Sequence, residues 1–234
     1  RFFLSGGAIF LMVDPNVDTG LDPVLAAMGL QMGRETLANT EKYMRLKRIF
    51  EPVDRANIYS NKYSSHPTVS VVSRNEAQVA SVFRGATWLD KIPDNTSPGL
   101  NVNFTLQSTP NTFADINGDF ELNEPQEKKK SWNLMAAVEQ TDKPQNAGEG
   151  VDDKEKEKKV GRAFVIGDGD FATDLLIRND GNLYLIADTL RWLFGADTDV
   201  TTPTTEDDIS IQHTRDQDVV WFYATVFGFP FLIL

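Results

Sequence analysis

Four carboxylates stand out by type and spacing. Asp14 and Asp18 lie in Val13-Asp14-Pro15-Asn16-Val17-Asp18, and Asp168 and Asp170 lie in Gly167-Asp168-Gly169-Asp170. Each pair follows a short apolar run. In an open parallel sheet, ligands bind beyond the carboxyl ends of the strands. Carboxylates gathered there suit a cation, the hydroxyls of a polar sugar, or the basic side chains of a partner. Two carboxyls with different proton affinities also suit acid–base hydrolysis. A plainer role competes, because Asp caps helices and accepts hydrogen bonds from turn amides. The sequence leaves both roles open.

Other reactive chemistry is sparse. Asp115-Ile116-Asn117-Gly118-Asp119-Phe120-Glu121 places oxygen ligands at alternate positions, in the manner of a calcium loop. Phe120 stands where that loop needs glycine, and Gln126 stands at its twelfth position, so the stretch reads as an ordinary polar turn. His66 precedes Pro67 in a turn, and His213 lies in a polar stretch. There is no cysteine, which removes disulfides, thiolate metal sites and a Cys nucleophile. No HExxH, Walker-type glycine loop or GxSxG elbow occurs. No catalytic residue, metal or cofactor is assigned. The formal net charge of −11 argues against nucleic acid, which needs clustered Lys and Arg.

The elements that position the four carboxylates are two strand–turn–helix units. Ala163–Ile166 is an apolar run between Gly161 and Gly167, the pattern of a strand buried on both faces. Leu183, Ala187, Leu190 and Phe194 then recur at helical spacing, with Ile186 and Leu193 beside them, Asn182 expected as N-cap and Gly195 as the stop. The first unit has a strand over Ala8–Val13. A short helix follows over Leu21–Gly29, with Asp22 expected as its cap and Pro23 at its first position. Two such units predict an α/β domain with parallel strands.

Between them, Glu41–Phe50 is basic, with Tyr43, Leu46, Ile49 and Phe50 spaced to share a helix face. Val69, Val71 and Val72 suggest a strand, as do Ser81–Phe83, Thr87–Leu89 and Trp132–Val138. Leu100, Val102, Phe104 and Leu106 alternate strictly with polar residues, the mark of a half-exposed strand. Residues 141–159 are polar and then almost wholly charged, which predicts a solvated loop. Residues 196–218 read as a polar linker. Residues 219–234 hold no charge, with Trp221 and Tyr223 at their start. They are expected to begin a transmembrane helix whose remainder lies beyond Leu234. The domain proper is then 1–195.

Several segments together resemble one family. Phe3-Leu4-Ser5-Gly6-Gly7 through Val13-Asp14-Pro15 is similar to its opening FL-x-x-GG-x-hydrophobic-DP segment. His66-Pro67, Phe83-Arg84-Gly85-Ala86 and Leu106–Asp115 fit its middle, and Gly161-Arg162 to Asp170-Phe171 resembles its GR-hydrophobic-GDxDF segment. Asn182 to Gly195 resembles its Trp-Leu helix, with Asp188 where Asn is common. The family is the GldG-like, gliding-motility-associated auxiliary component of ABC transport systems. The resemblance implies a domain similar to the flavodoxin-like, class I glutamine-amidotransferase fold, a parallel sheet with added antiparallel strands. It implies an anchor in the bacterial cytoplasmic membrane, an extracytoplasmic or periplasmic domain, and separate permease and ATPase partners. That enzyme fold uses a Cys nucleophile, absent here, so amidotransferase activity is not carried over. The expected function is a non-enzymatic accessory subunit that binds a partner protein or a polar ligand such as a glycan. The alternative is an envelope hydrolase using Asp14, Asp168 and Asp170.

Overall fold

A computed structural model describes residues 1–15, 17–93, 99–141, 160–195 and 222–223. The chain divides into two units, Arg1–Thr198 and Asp199–Leu234. In the second unit, Phe222 and Tyr223 are helical, with ring centroids 5.6 Å apart. Apart from Thr141, Phe222 and Tyr223, the charged loop 141–159, the linker 196–218 and the apolar segment 219–234 lie outside the described residues. Among the described residues, no helix is long and apolar enough to cross a membrane.

In the first unit the strands are β1 (Ala8–Met12), β2 (Leu30–Met32), β3 (Thr36–Asn39), β4 (Tyr59–Ser60), β5 (Lys62–Tyr63), β6 (Ser81–Val82), β7 (Leu89–Lys91), β8 (Leu100–Gln107), β9 (Thr112–Asp115), β10 (Asn133–Gln140) and β11 (Arg162–Ile166). The helices are α1 (Asp22–Ala27), α2 (Ser70–Arg74) and α3 (Asp180–Leu193). The main sheet has the order β1-β11-β10-β8-β5, and three two-stranded pairings, β2/β7, β3/β9 and β4/β6, stand beside it.

The unit is a mixed α/β fold. β1 and β11 pair in parallel, with Phe10 opposite Phe164, as the two strand–turn–helix units predict. The other pairings of the main sheet are antiparallel. The expected balance, a parallel sheet with antiparallel additions, is therefore reversed among the described residues. β10 and β11 are successive in the chain and joined without an intervening helix among the described residues, and such neighbours pair antiparallel.

The period of two divides the sheet between two cores. Phe10, Ala137, Phe164 and Ile166 pack on one face with Leu185 and Trp192 of α3. Ile9, Val138, Ala163 and Val165 pack on the other with Leu25 and Met28 of α1 and its C-terminal edge. β8 breaks its own alternation. Met135 pairs with Leu106 and the next residue, Ala136, pairs with Phe104, so one extra residue bulges out of β8. The bulge sends Leu106 to the α3 face, while Leu100, Val102 and Phe104 stay with the α1 core. Thr105, the extra residue, is buried with no hydrogen-bond partner at its hydroxyl.

Several local expectations are corrected. The N-cap of α3 is Asn179, whose side chain accepts from the Asn182 N–H, so Asn182 lies inside the helix. The apolar stripe Leu183, Leu190 and Phe194 is exposed. The face turned inward is Asn182, Leu185, Asp188, Thr189 and Trp192, and its Asn182 and Asp188 side chains bond other elements. Asp22 is the first residue of α1 and makes an ion pair with Arg34 instead of a cap. Glu41–Phe50 is irregular, tied by a bridge between Tyr43 and Ile58, by two hydrogen bonds between Met44 and Asn57, and by the Glu41–Lys129 ion pair. Val69–Val72 lies in a short 3-10 turn (Pro67–Val69) and α2, not in a strand, because side chains from outside the segment take up the N–H groups that open the turn and the helix. His66 caps the turn by accepting from the Thr68 N–H at 3.3 Å, and Asp188 of α3 accepts from the Val71 N–H at 2.8 Å.

Candidate functional site

The site is built where β1 and β11 end side by side. Val13 N–H donates to the Ile166 carbonyl at 2.9 Å, which carries the parallel register one residue past β1. Asp14 and Asp168 then leave the sheet as neighbours. Gly167 lies under a crossing strand of loop: Thr87 N–H donates to its carbonyl at 2.7 Å, and a Cβ at Gly167 would meet the Thr87 carbonyl oxygen at 2.5 Å. Only glycine permits that approach.

Each carboxylate then finds a backbone amide. Gly169 N–H donates to Asp14 Oδ1 at 2.8 Å. Asp170 N–H donates to Asp168 Oδ1 at 2.8 Å, and Arg84 N–H donates to Asp168 Oδ2 at 2.7 Å. Asp168 therefore closes its own turn and clamps the Phe83–Ala86 loop onto the end of β11. Asp168 is fully buried. Burial pushes its carboxyl up from the usual 3.8 to about 7. The two amide hydrogen bonds oppose that rise, and the charges of Asp14 and Asp170 add to it.

The structure thus brings together three of the four predicted carboxylates. Asp18 stands apart. It is exposed, and its Oδ1 accepts from the Gly20 N–H at 3.1 Å in a local turn. Asp170 is half-exposed and lies 3.9 Å from the Arg84 guanidinium. Among the described residues, no group of three or more His, Asp or Glu side chains is placed to hold a metal ion. The calcium-like stretch is closed by its own backbone, as its departures from the calcium pattern predict. Asp115 accepts from Gly118 and Phe120 N–H, and buried Glu127 accepts from Ile116 and Asn123 N–H.

Beside the acidic turn lies an open cleft of about 510 Å³, whose lining includes Arg84 and Asp170, the charged Lys47, Glu51 and Asp54, and the apolar Leu46, Val53 and Leu175. Its apolar lining is exposed: Leu46 by 41%, Val53 by 47% and Leu175 by 54%. Sequence reasoning passed over Arg84 and this lining, because they come from segments far apart in the chain. One signal was present, the basic and apolar mixture of Glu41–Phe50, and it was read there as a helix face. It also missed Asn182. Asn182 Oδ1 accepts from Val82 N–H at 2.8 Å, and its Nδ2 donates to the carbonyls of Val82 and Phe171. That side chain extends the β6 edge and holds the Gly167–Phe171 turn to it.

No family model matches this chain, and no curated protein matches it. Among solved structures it is similar to the mmIFT52 N-terminal domain, with 14% identity over 82% of this chain and 67% of that one and a TM-score of 0.51. At that identity the likeness is one of fold.

Proposed function

We propose that this chain is a non-enzymatic, membrane-anchored accessory subunit of an ABC transport complex, of the GldG-like kind that its motifs resemble. Its domain belongs in this reading to the flavodoxin-like class and faces the extracytoplasmic side of a bacterial cytoplasmic membrane. It binds a partner protein or a polar ligand such as a glycan, and separate chains supply the permease and the ATPase. The observation that favours binding over catalysis is the bonding of the acidic turn. Asp14 and Asp168 hold backbone amides, Asp168 is out of reach of any substrate, and the exposed groups left are an Arg84–Asp170 pair beside an open cleft. Purification of the full-length protein from its native membrane in mild detergent, with mass spectrometry of what stays bound, tests this. A multi-span permease and a P-loop ATPase in stable ratio are expected. Extraction without detergent, or a protein that stays alone after crosslinking, overturns it.

An envelope hydrolase is the second reading. One observation favours it: the Asp168 carboxyl at about 7 is in the range of a general acid. Its burial and its two amide donors oppose it. Hydrolase activity lost in Asp170→Ala at unchanged stability would establish it.

A further inference from the structure

We propose that two copies of this chain pair about a two-fold axis, through the open edge of β1 and the exposed stripe of α3. The inference goes beyond the function proposed above and holds whatever the domain binds. Three features at one end of the main sheet carry it.

The first is the strand edge. β1 ends the order β1-β11-β10-β8-β5, and among the described residues no strand pairs with its outer side. Arg162 N–H donates to the Gly7 carbonyl and Val13 N–H to the Ile166 carbonyl, so the odd-numbered residues here turn their backbone to β11. The backbone groups of Ala8, Phe10 and Met12 therefore point outward. An edge is normally blunted by a charge, a proline, a bulge or shortness. At the opposite end of the sheet, β5 has only two residues. β1 has five, in unbroken register with β11, and residues 2–13 contain no charge and no proline. Its side chains are apolar toward both cores, the character of an interior strand.

The second feature is the stripe of α3. That helix touches β1 and β11, whereas α2 touches β5. Asp188 bonds α2. Leu183 and Leu190 lie about 140–160° around the helix from Asp188, at about 100° per residue. They are on the flank turned away from α2, toward β1. Leu183 is 46% exposed, Leu190 39% and Phe194 79%.

The third feature is self-complementarity, which selects a second copy as the occupant. A two-fold axis at Phe10, normal to the sheet, sets Ala8 opposite Met12 of the second copy, and all the outward groups pair antiparallel. The same axis runs the two α3 helices antiparallel on one face of the enlarged sheet. Leu183 then meets Leu190 of the second copy across Ala187, whose small side chain permits close packing. Asp180 is exposed, with no ion pair among the described residues, and comes beside Arg191 of the second copy, which is also exposed. Elsewhere a net charge of −11 sets copies against each other. Here the strand edge is uncharged and the helix ends are opposite in sign.

The test is sedimentation of the full chain in mild detergent together with cysteine crosslinking, for which the chain has no native cysteine. A dimer is expected at micromolar concentration. Ala8→Cys chains mixed with Met12→Cys chains should form a disulfide with each other, and neither should form one with itself, because only the mixed pair faces in this register. Leu190→Glu should raise the dimer Kd at least about a hundredfold, since both copies lose an apolar contact. Ala8→Pro removes an outward N–H while leaving the ladder to β11, and should also break the dimer. Ala8 and Leu190 are exposed, so circular dichroism of both variants should match the parent. A monomer throughout the micromolar range overturns the proposal, as does a dimer that survives either variant. So does a cysteine at position 8 that crosslinks to a different protein in the native membrane and not to the Met12→Cys chain. A dimer that purifies without a permease and ATPase removes the transporter assignment and leaves the pairing. A permease and ATPase that copurify with a single copy do the reverse.

Discussion

Asp14 and Gly169 are 155 residues apart in the chain and share a hydrogen bond of 2.8 Å, from the Gly169 N–H to Asp14 Oδ1. It joins the two strand–turn–helix units where their parallel strands end. The bond depends on the absence of a side chain, because a Cβ on Gly169 would lie 2.3 Å from Asp14 Oδ2 and 2.8 Å from its Cγ.

Gly169→Ala is therefore expected to displace the Asp14 carboxylate and to cost about 1–3 kcal/mol. Asp14→Ala removes the obstacle along with the acceptor. The double variant should be more stable than the sum of the single losses, with a coupling of at least about 0.5 kcal/mol. Urea unfolding of the four proteins measures this. Additive losses would mean that the two residues do not meet.

Asp168 predicts a pH dependence of unusual sign for a carboxylate. Its folded value, about 7, lies above its usual 3.8. Between those values the folded state holds a proton that the unfolded state has lost. Stability contributed at this site thus falls as pH rises through that window and levels off above it. The slope is at most about 1.4 kcal/mol per pH unit. In Asp168→Asn the slope due to this site should vanish. Asn also turns an amide toward one of the two backbone N–H donors, so stability at pH 5 should drop by about 1–3 kcal/mol. Urea midpoints of both proteins from pH 4 to 8 decide it, and equal slopes would refute the assignment.

Asn182 is fully buried and serves three backbone groups. Asn182→Ala leaves them without that partner and should cost at least about 2 kcal/mol. Asn182→Asp keeps the acceptor for Val82 N–H but sets a carboxylate against two carbonyls, so it should cost more. A ranking in which Asp is the milder change would contradict the bonding described.

Asp188 caps α2 from α3, through Val71 N–H at 2.8 Å and the Ser70 hydroxyl at 3.2 Å. Asp188→Ala should cost about 1–2 kcal/mol, in the range of cap removals. Hydrogen exchange should speed up first in Val71–Arg74. Uniform acceleration across the unit would point to a packing role instead.

Calcium should leave the melting temperature unchanged, because Asp115 and Glu127 already accept hydrogen bonds from four backbone amides. Melting with calcium and with a chelator checks this. Asp115→Ala, by contrast, should lower it, since two turn amides lose their acceptor.

Much of the frame was legible in the chain itself. β11 and the core of β10 are apolar runs whose burial follows from composition alone, β1 is an apolar run left partly buried at the sheet edge, and the glycine-bounded acidic turn after β11 follows from glycine and aspartate chemistry. Asp14 and Asp168 were legible as residues at strand ends, and their parallel neighbours followed from two similar units. What each carboxylate does was not, because its partner is an amide far away in sequence: Arg84 for Asp168 and Gly169 for Asp14.

The same reason explains the errors. Apolar periodicity in α3 named Leu183, Leu190 and Phe194 as the inner face, yet Asn182 and Asp188 turn inward because β6 and α2 each lack a partner there. The alternation of β8 holds until a bulge at Thr105, which only pairing with β10 reveals. Local pattern records how much apolar surface a segment must bury. Which face turns inward is decided by the unpaired polar groups of neighbouring elements, since each buried amide or carbonyl left alone costs as much as a lost hydrophobic contact.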